Sequence, residues 1–175
     1  LFDAGFQPRK TYRLIVMLDV LEHLPDAHAG LRHALSLLDP DGVLLITVPA
    51  FRLLWTAHDE LNRHVTRYTQ STFAQLAADC GLRIDALRYF YHWLFPLKIA
   101  VRLKEACLPR NPQPPKIPAS PVNRLCYGVS RLEQHLFRHC RIPFGSSLLA
   151  VGGHPLESAD ASIYSAPQSL ELSSV

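Results

Sequence analysis

Apolar and polar positions alternate along this chain in more than one rhythm, and each rhythm predicts an element. Arg13 to Leu18 is an almost unbroken apolar run, short enough for a strand and closed at its far end by Asp19. A run without alternation suits a strand covered on both faces, as in a parallel sheet flanked by helices. Leu31, Ala34, Leu35 and Leu38 then recur at helical spacing, with Pro25 fitting the first turn and Asp26 favouring its positive end. Asp39-Pro40-Asp41-Gly42 reads as a turn in which Pro presets φ and Gly accepts positive φ. Val43 to Val48 is a second buried strand, ended by Pro49. Strand, helix and parallel strand make a right-handed crossover.

Phe51 to Tyr68 has no regular period and gathers Trp55, His58, Asp59, Asn62, His64, Arg67 and Tyr68. Functional groups concentrate on such loops beyond strand ends. Ser71 is placed to cap a helix carrying Phe73, Leu76 and Ala77, with Gly81 as its terminator. Leu82 to Tyr91 alternates as a third strand. Trp93 to Leu108 is a helix-like apolar stretch bearing Lys98, Arg102 and Lys104. Leu108 to Pro121 holds six prolines and reads as a stiff linker. Leu125, Val129, Leu132, Leu136 and Phe137 mark one helical stripe. Ser146 to Val151 is a last short strand, and the Ser- and Ala-rich residues 154–175 read as a flexible tail.

Composition narrows the class. The chain has 175 residues, enough for one domain with a sizeable core. Eighteen Lys plus Arg against fifteen Asp plus Glu leave +3, too mild a balance to argue for nucleic acid or an acidic membrane. Cys80, Cys107, Cys126 and Cys140 lack CxxC spacing, so reduced structural thiols in a cytoplasmic protein are expected. No stretch approaches the roughly 18 apolar residues of a membrane span.

Asp19-Val20-Leu21-Glu22-His23-Leu24-Pro25-Asp26 resembles the segment after the fourth strand of class I S-adenosylmethionine-dependent methyltransferases. Leu38-Asp39-Pro40-Asp41-Gly42-Val43-Leu44-Leu45-Ile46-Thr47-Val48-Pro49 is similar to the family's "L-x-P-G-G-x-L-x-I-x-x-P" turn and fifth strand, with Asp41 replacing the first glycine. Phe73 to Leu82 resembles the helix and glycine that lead into the sixth strand. The resemblance covers Leu14 to about Tyr91 and implies an α/β, Rossmann-like class I methyltransferase fold. Of its sheet, ordered 3-2-1-4-5-7-6 with strand 7 antiparallel, this chain would supply strands 4, 5, 6 and 7. Residues 1–153 would be a partial methyltransferase domain, with 92–140 a helical insertion.

The resemblance also implies that three strands precede Leu14, so the start reads as a truncation. Strand 4 would then present a long apolar edge, and the isolated fragment is expected to self-associate or dissolve poorly. The family's glycine-rich cofactor loop has no counterpart, since the eight glycines never form G-x-G.

By analogy Leu18, Asp19 and Val20, at the end of strand 4, would face the methionine end of S-adenosylmethionine. Glu22 and His23 have three readings. They could act as a base and orienting pair beside the methyl group. Glu22 could instead accept backbone N–H bonds at the helix start while His23 packs at its rim. With Asp19 they also align with the "E-x-x-E-H" segment of quinone-biosynthesis O-methyltransferases, which is associated with a divalent cation; no metal ligand is assigned on that ground.

His64 is a candidate base, with Arg67 positioning an anionic acceptor and Tyr68 stacking or donating a hydrogen bond. Trp55 and His58 would border the acceptor, Trp55 equally suiting a packing role. Trp93–Lys104 fits a lid, a basic-apolar patch resting on a membrane, or a helix buried against Val122–Phe137. The expected function is methyl transfer to a small or lipid-linked acceptor in the intact protein, the fragment alone being inactive. A non-catalytic module of the same fold and a membrane-peripheral adaptor are the alternatives.

Overall fold

The computed structural model describes residues 10–107, 119–137 and 140–155. The expectations for residues 1–9, for 108–118 of the linker and for 156–175 of the tail lie outside the described residues. In chain order the elements are β1 (Tyr12–Leu18), α1 (Ala27–Ser36), β2 (Leu38–Pro49), α2 (Ala57–Leu61), α3 (Gln70–Cys80), β3 (Arg83–Phe90), α4 (Leu94–Cys107), α5 (Ser120–Phe137) and β4 (Ser147–Gly153). Single 3₁₀ turns at Leu21–His23 and Arg52–Leu54 follow β1 and β2.

The four strands form one sheet in the order β1-β2-β4-β3. β1 pairs parallel with β2, and β4 runs antiparallel to both β2 and β3. This is the order 4-5-7-6, with an antiparallel strand 7, that the resemblance to class I methyltransferases implies. The helices α4 and α5 fall between β3 and β4 in the chain.

Among the described residues, one face of the sheet carries the core. Leu44, Ile46 and Val48 of β2, Leu148 and Ala150 of β4 and Met17 of β1 meet Leu31, Ala34 and Leu35 of α1 and Phe73, Leu76 and Ala77 of α3. Each of the larger of these side chains (Leu, Ile, Val, Met and Phe) contributes roughly 1.5–3 kcal/mol by leaving water. The opposite face is open at β1, where Leu14, Val16 and Leu18 are each about half exposed or more. The expectation of a strand covered on both faces is therefore corrected. Hydrophobicity at every position of Arg13–Leu18 does not report which face has a partner.

Three local readings also change. Thr69, not Ser71, caps α3: its hydroxyl accepts from Thr72 N while the Thr72 hydroxyl accepts from Thr69 N. Asp39–Gly42 is not a free turn but part of β2, which starts at Leu38. The register jumps from Tyr12↔Leu38 to Leu14↔Val43, so the extra residues bulge out of the ladder. Gly42 is needed there for space rather than for positive φ, since an added Cβ would lie 2.8 Å from the Leu38 side chain. Gly81 is the reverse case: it ends α3 in the left-handed region, at φ 75°.

Outside the packed layer, α4 buries no residue completely, and α5 buries Glu133 alone. The expected packing of α4 against Val122–Phe137 is not seen as a helix pair; the contact runs through Trp93. Its indole N–H donates to Ser130 Oγ at 3.1 Å, and its backbone N–H to Glu133 Oε2 at 3.0 Å.

Candidate active site

β1 and β2 end side by side, and their exits build one rim of a cleft. Asp19 leaves β1 at φ 51° and Phe51 follows β2 at φ 54°. A non-glycine residue in the left-handed region is held there by its surroundings. Asp19 is fastened to β2: its N–H donates to Thr47 O at 3.0 Å, and its carboxylate accepts from Thr47 Oγ1 at 3.2 Å. The following 3₁₀ turn, Leu21–His23, sends Glu22 inward.

The second rim is the loop from Thr56 to Tyr68, which folds around a buried carboxylate. Asp59, with no exposed surface, accepts from Arg67 Nε at 2.8 Å, Arg67 Nη2 at 3.0 Å, His64 Nδ1 at 2.8 Å and Thr56 N at 2.9 Å. Arg67 Nη1 donates to Ala50 O at 2.9 Å, tying this knot to the end of β2. Burial works against the Asp59 charge, but the Arg67 and Thr56 hydrogen bonds outweigh it and hold its pKa down at about 2. The two rims are joined where Val65 N donates to Glu22 O.

Between them lies a cleft of about 440 Å³ lined by Asp19, Glu22, His23, Pro49, His58, Asn62, His64, Arg67, Lys98 and Ser147. Asn62 Nδ2 donates to His58 Nε2 at 2.8 Å. The His23 and His64 rings meet edge to face, centroids 4.7 Å apart. Glu22 is fully buried, and neither carboxylate oxygen has a hydrogen-bond partner. Burial raises its pKa to about 7, and Asp19 adds to this; its own backbone N–H and Arg67 pull the other way. Beyond that N–H of its own residue, no backbone donor of the helix start reaches the Glu22 carboxylate. The ligand atoms of Glu22, His23 and His64 lie within 4.8 Å of one another. The structure thus gathers a different trio from the Asp19, Glu22 and His23 suggested by motif alignment, with Asp19 lining the same cleft and accepting from Thr47.

Several expected site residues stand elsewhere. Leu18 and Val20 do not line the cleft; the Leu18 side chain is exposed on the sheet's open face. Trp55 lies 6.0 Å under the Arg52 guanidinium, away from the cleft. Tyr68 is buried in the core beside Phe73, and burial pushes its hydroxyl up to about 12. Arg67 lines the cleft but spends three donors on Asp59 and Ala50, so it fixes the loop rather than reaching for an acceptor.

Two participants were not singled out as site residues. Asp59 reads in sequence as half of an isolated His-Asp pair, and its role appears only when His64, five residues on, and Arg67, eight on, fold back on it. Lys98 reads as one of three basic residues on an apolar helix. The structure turns it into the cleft, where burial lowers its pKa. Glu105, from the same helix, accepts from Ala57 N at 3.0 Å.

A sheet ordered 4-5-7-6 with its polar cleft at the strand exits is the Rossmann-like arrangement of class I methyltransferases. Residues 2–87 match a family model described as a methyltransferase domain. No curated protein matches the chain. Among solved structures, a chain of the Haloferax volcanii complex containing the Trm112 methyltransferase activator is 15% identical, with a TM-score of 0.47, over 85% of this chain and 56% of that one. A SAM-dependent methyltransferase from Archaeoglobus fulgidus is 14% identical, with a TM-score of 0.41, over 82% and 59%. Haemonchus contortus phosphoethanolamine N-methyltransferase 2, in complex with S-adenosyl-L-methionine, is 15% identical, with a TM-score of 0.44, over 82% and 33%. The chain thus spans less than two thirds of each of these structures.

Proposed function

We propose that the intact protein transfers a methyl group from S-adenosylmethionine to a nucleophile of a small or lipid-linked acceptor held in this cleft. The family match over residues 2–87 supports the reaction class. The observation that carries the residue roles is the Asp59–His64 hydrogen bond. Asp59 stays ionised, so it accepts the Nδ1 proton of His64, and in the neutral ring Nε2 keeps its lone pair. Burial lowers the His64 pKa against the pull of Asp59, which keeps the ring neutral and ready to accept a proton. His64 is then the base for the acceptor, and Asp59 positions it.

Methyl transfer is an in-line displacement, so alignment comes first and proton removal second. Leu18, Asp19 and Val20 would border the cofactor's amino-acid end through the turn that leaves β1. Glu22, His23, His58 and Lys98 would surround the acceptor. His64→Ala is expected to lower turnover about a hundredfold or more while changing cofactor affinity less than twofold. Steady-state kinetics with calorimetric titration of the full-length protein test this. The reverse pattern would remove His64 from the acceptor side, and methyl transfer without loss in the variant would end the base reading.

A second reading is favoured by the orphaned Glu22 carboxylate. With His23 and His64 it could hold a divalent transition metal, Asp59 then orienting a ligating imidazole. The two readings compete for His64 Nε2. Metal analysis of purified protein, with turnover measured before and after chelation, separates them: a base-only site is indifferent to chelation.

A further inference from the structure

We infer that α5, together with the outer face of α4, is a docking surface for an anionic lipid bilayer. Val122, Leu125, Val129, Leu132 and Leu136 lie along one side of α5, and Leu125 is 68% exposed, Leu132 and Leu136 58% each. A shallow apolar hollow runs along this stripe, walled by Pro121, Leu125, Gly128, Val129, Leu132 and the stem of Arg124. On α4, Leu97, Val101 and Lys104 form a second outward row at spacings of four and three. No helix of the described residues is long and apolar enough to cross a membrane, so these faces suit lying in the headgroup plane.

Charge identifies the occupant. The two helices carry two carboxylates, and both are turned inward: Glu105 onto Ala57 N and Glu133 onto Trp93 N. The exposed charges are cations, Lys104, Arg124 and Arg131. An apolar stripe rimmed by basic groups with its acids withdrawn matches lipid headgroups of negative charge. The same distribution opposes a second copy of this face, since the arginines of two copies would be brought together. The inference does not depend on the methyl-transfer reading, and its test involves no catalysis.

The experiment is co-sedimentation of the full chain with phosphatidylcholine vesicles, with and without phosphatidylglycerol, at low and high salt. The chain is expected to sediment with the anionic vesicles, to stay in solution with phosphatidylcholine alone, and to be released by salt. Arg124→Gln and Arg131→Gln are each expected to weaken partitioning about fivefold. Leu125→Glu and Leu132→Glu are expected to abolish it at unchanged melting temperature, because neither side chain is packed. Equal binding to both vesicle types, or none to either, overturns the proposal. So does sedimentation velocity in which Leu125→Glu dissociates a dimer while vesicle binding persists.

Discussion

The helices α3 and α5 are both amphipathic, yet they lead opposite lives. In its eleven residues α3 buries Phe73, Leu76 and Ala77 against the sheet. In its eighteen, α5 buries one residue completely, and that residue is a glutamate. An apolar stripe therefore states only that a helix needs a partner. Whether the partner is the sheet or something outside the chain is decided by what the rest of the fold leaves available.

Four measurements would break or sharpen this contrast between a packed region and an outward-facing one. The largest effect is expected for Asp59→Ala, which leaves Arg67 buried and unpaired: about 3–5 kcal/mol lost by chemical or thermal denaturation. A loss below about 1 kcal/mol would show that the knot of Asp59, His64 and Arg67 does not hold the loop. Next, Leu76→Ala in α3 should cost about 2–5 kcal/mol.

Glu22→Gln tests the cleft between the two regions. Glu22 has its folded pKa raised to about 7 from an ordinary 4.5, so folding favours its protonated form. Its contribution is fully present below pH 4.5 and is lost as pH rises through about 7. The Gln variant should match the wild type in acid and exceed it by roughly 2–3 kcal/mol at pH 8, by denaturation curves at both values. Asp59 runs the other way: its contribution is present above pH 3.8 and is lost as pH falls through about 2. The smallest effect is expected for Leu132→Ala in α5, within about 0.5 kcal/mol in solution. A loss as large as that of Leu76→Ala would make α5 part of the core.

Much of the sheet was legible because strand 4, strand 5 and the helix into strand 6 each carry a motif that resembles the class I methyltransferases, and the strand order followed from that resemblance. What the pattern could not give was the state of the second face, since Leu14, Val16 and Leu18 are as apolar as Met17. The same limit applied to the site. His64 was recognisable from its company of polar and aromatic residues, but Tyr68, one of that company, points into the core. Asp59 matters through groups five and eight residues away, a geometry set by the 3₁₀ and helical turns of the loop and not by any repeat. Lys98 was hidden because a helix face turned toward a cleft looks, in sequence, like one turned toward water.

The backbone at Asp19 sets ease of folding against the chemistry of the cleft. At φ 51° a glycine would sit there more comfortably than an aspartate. Asp19→Gly is thus a change that would relax the turn while deleting a carboxylate from the mouth of the cleft. Relief of the turn and a carboxylate at the cleft mouth are opposed demands on a single position.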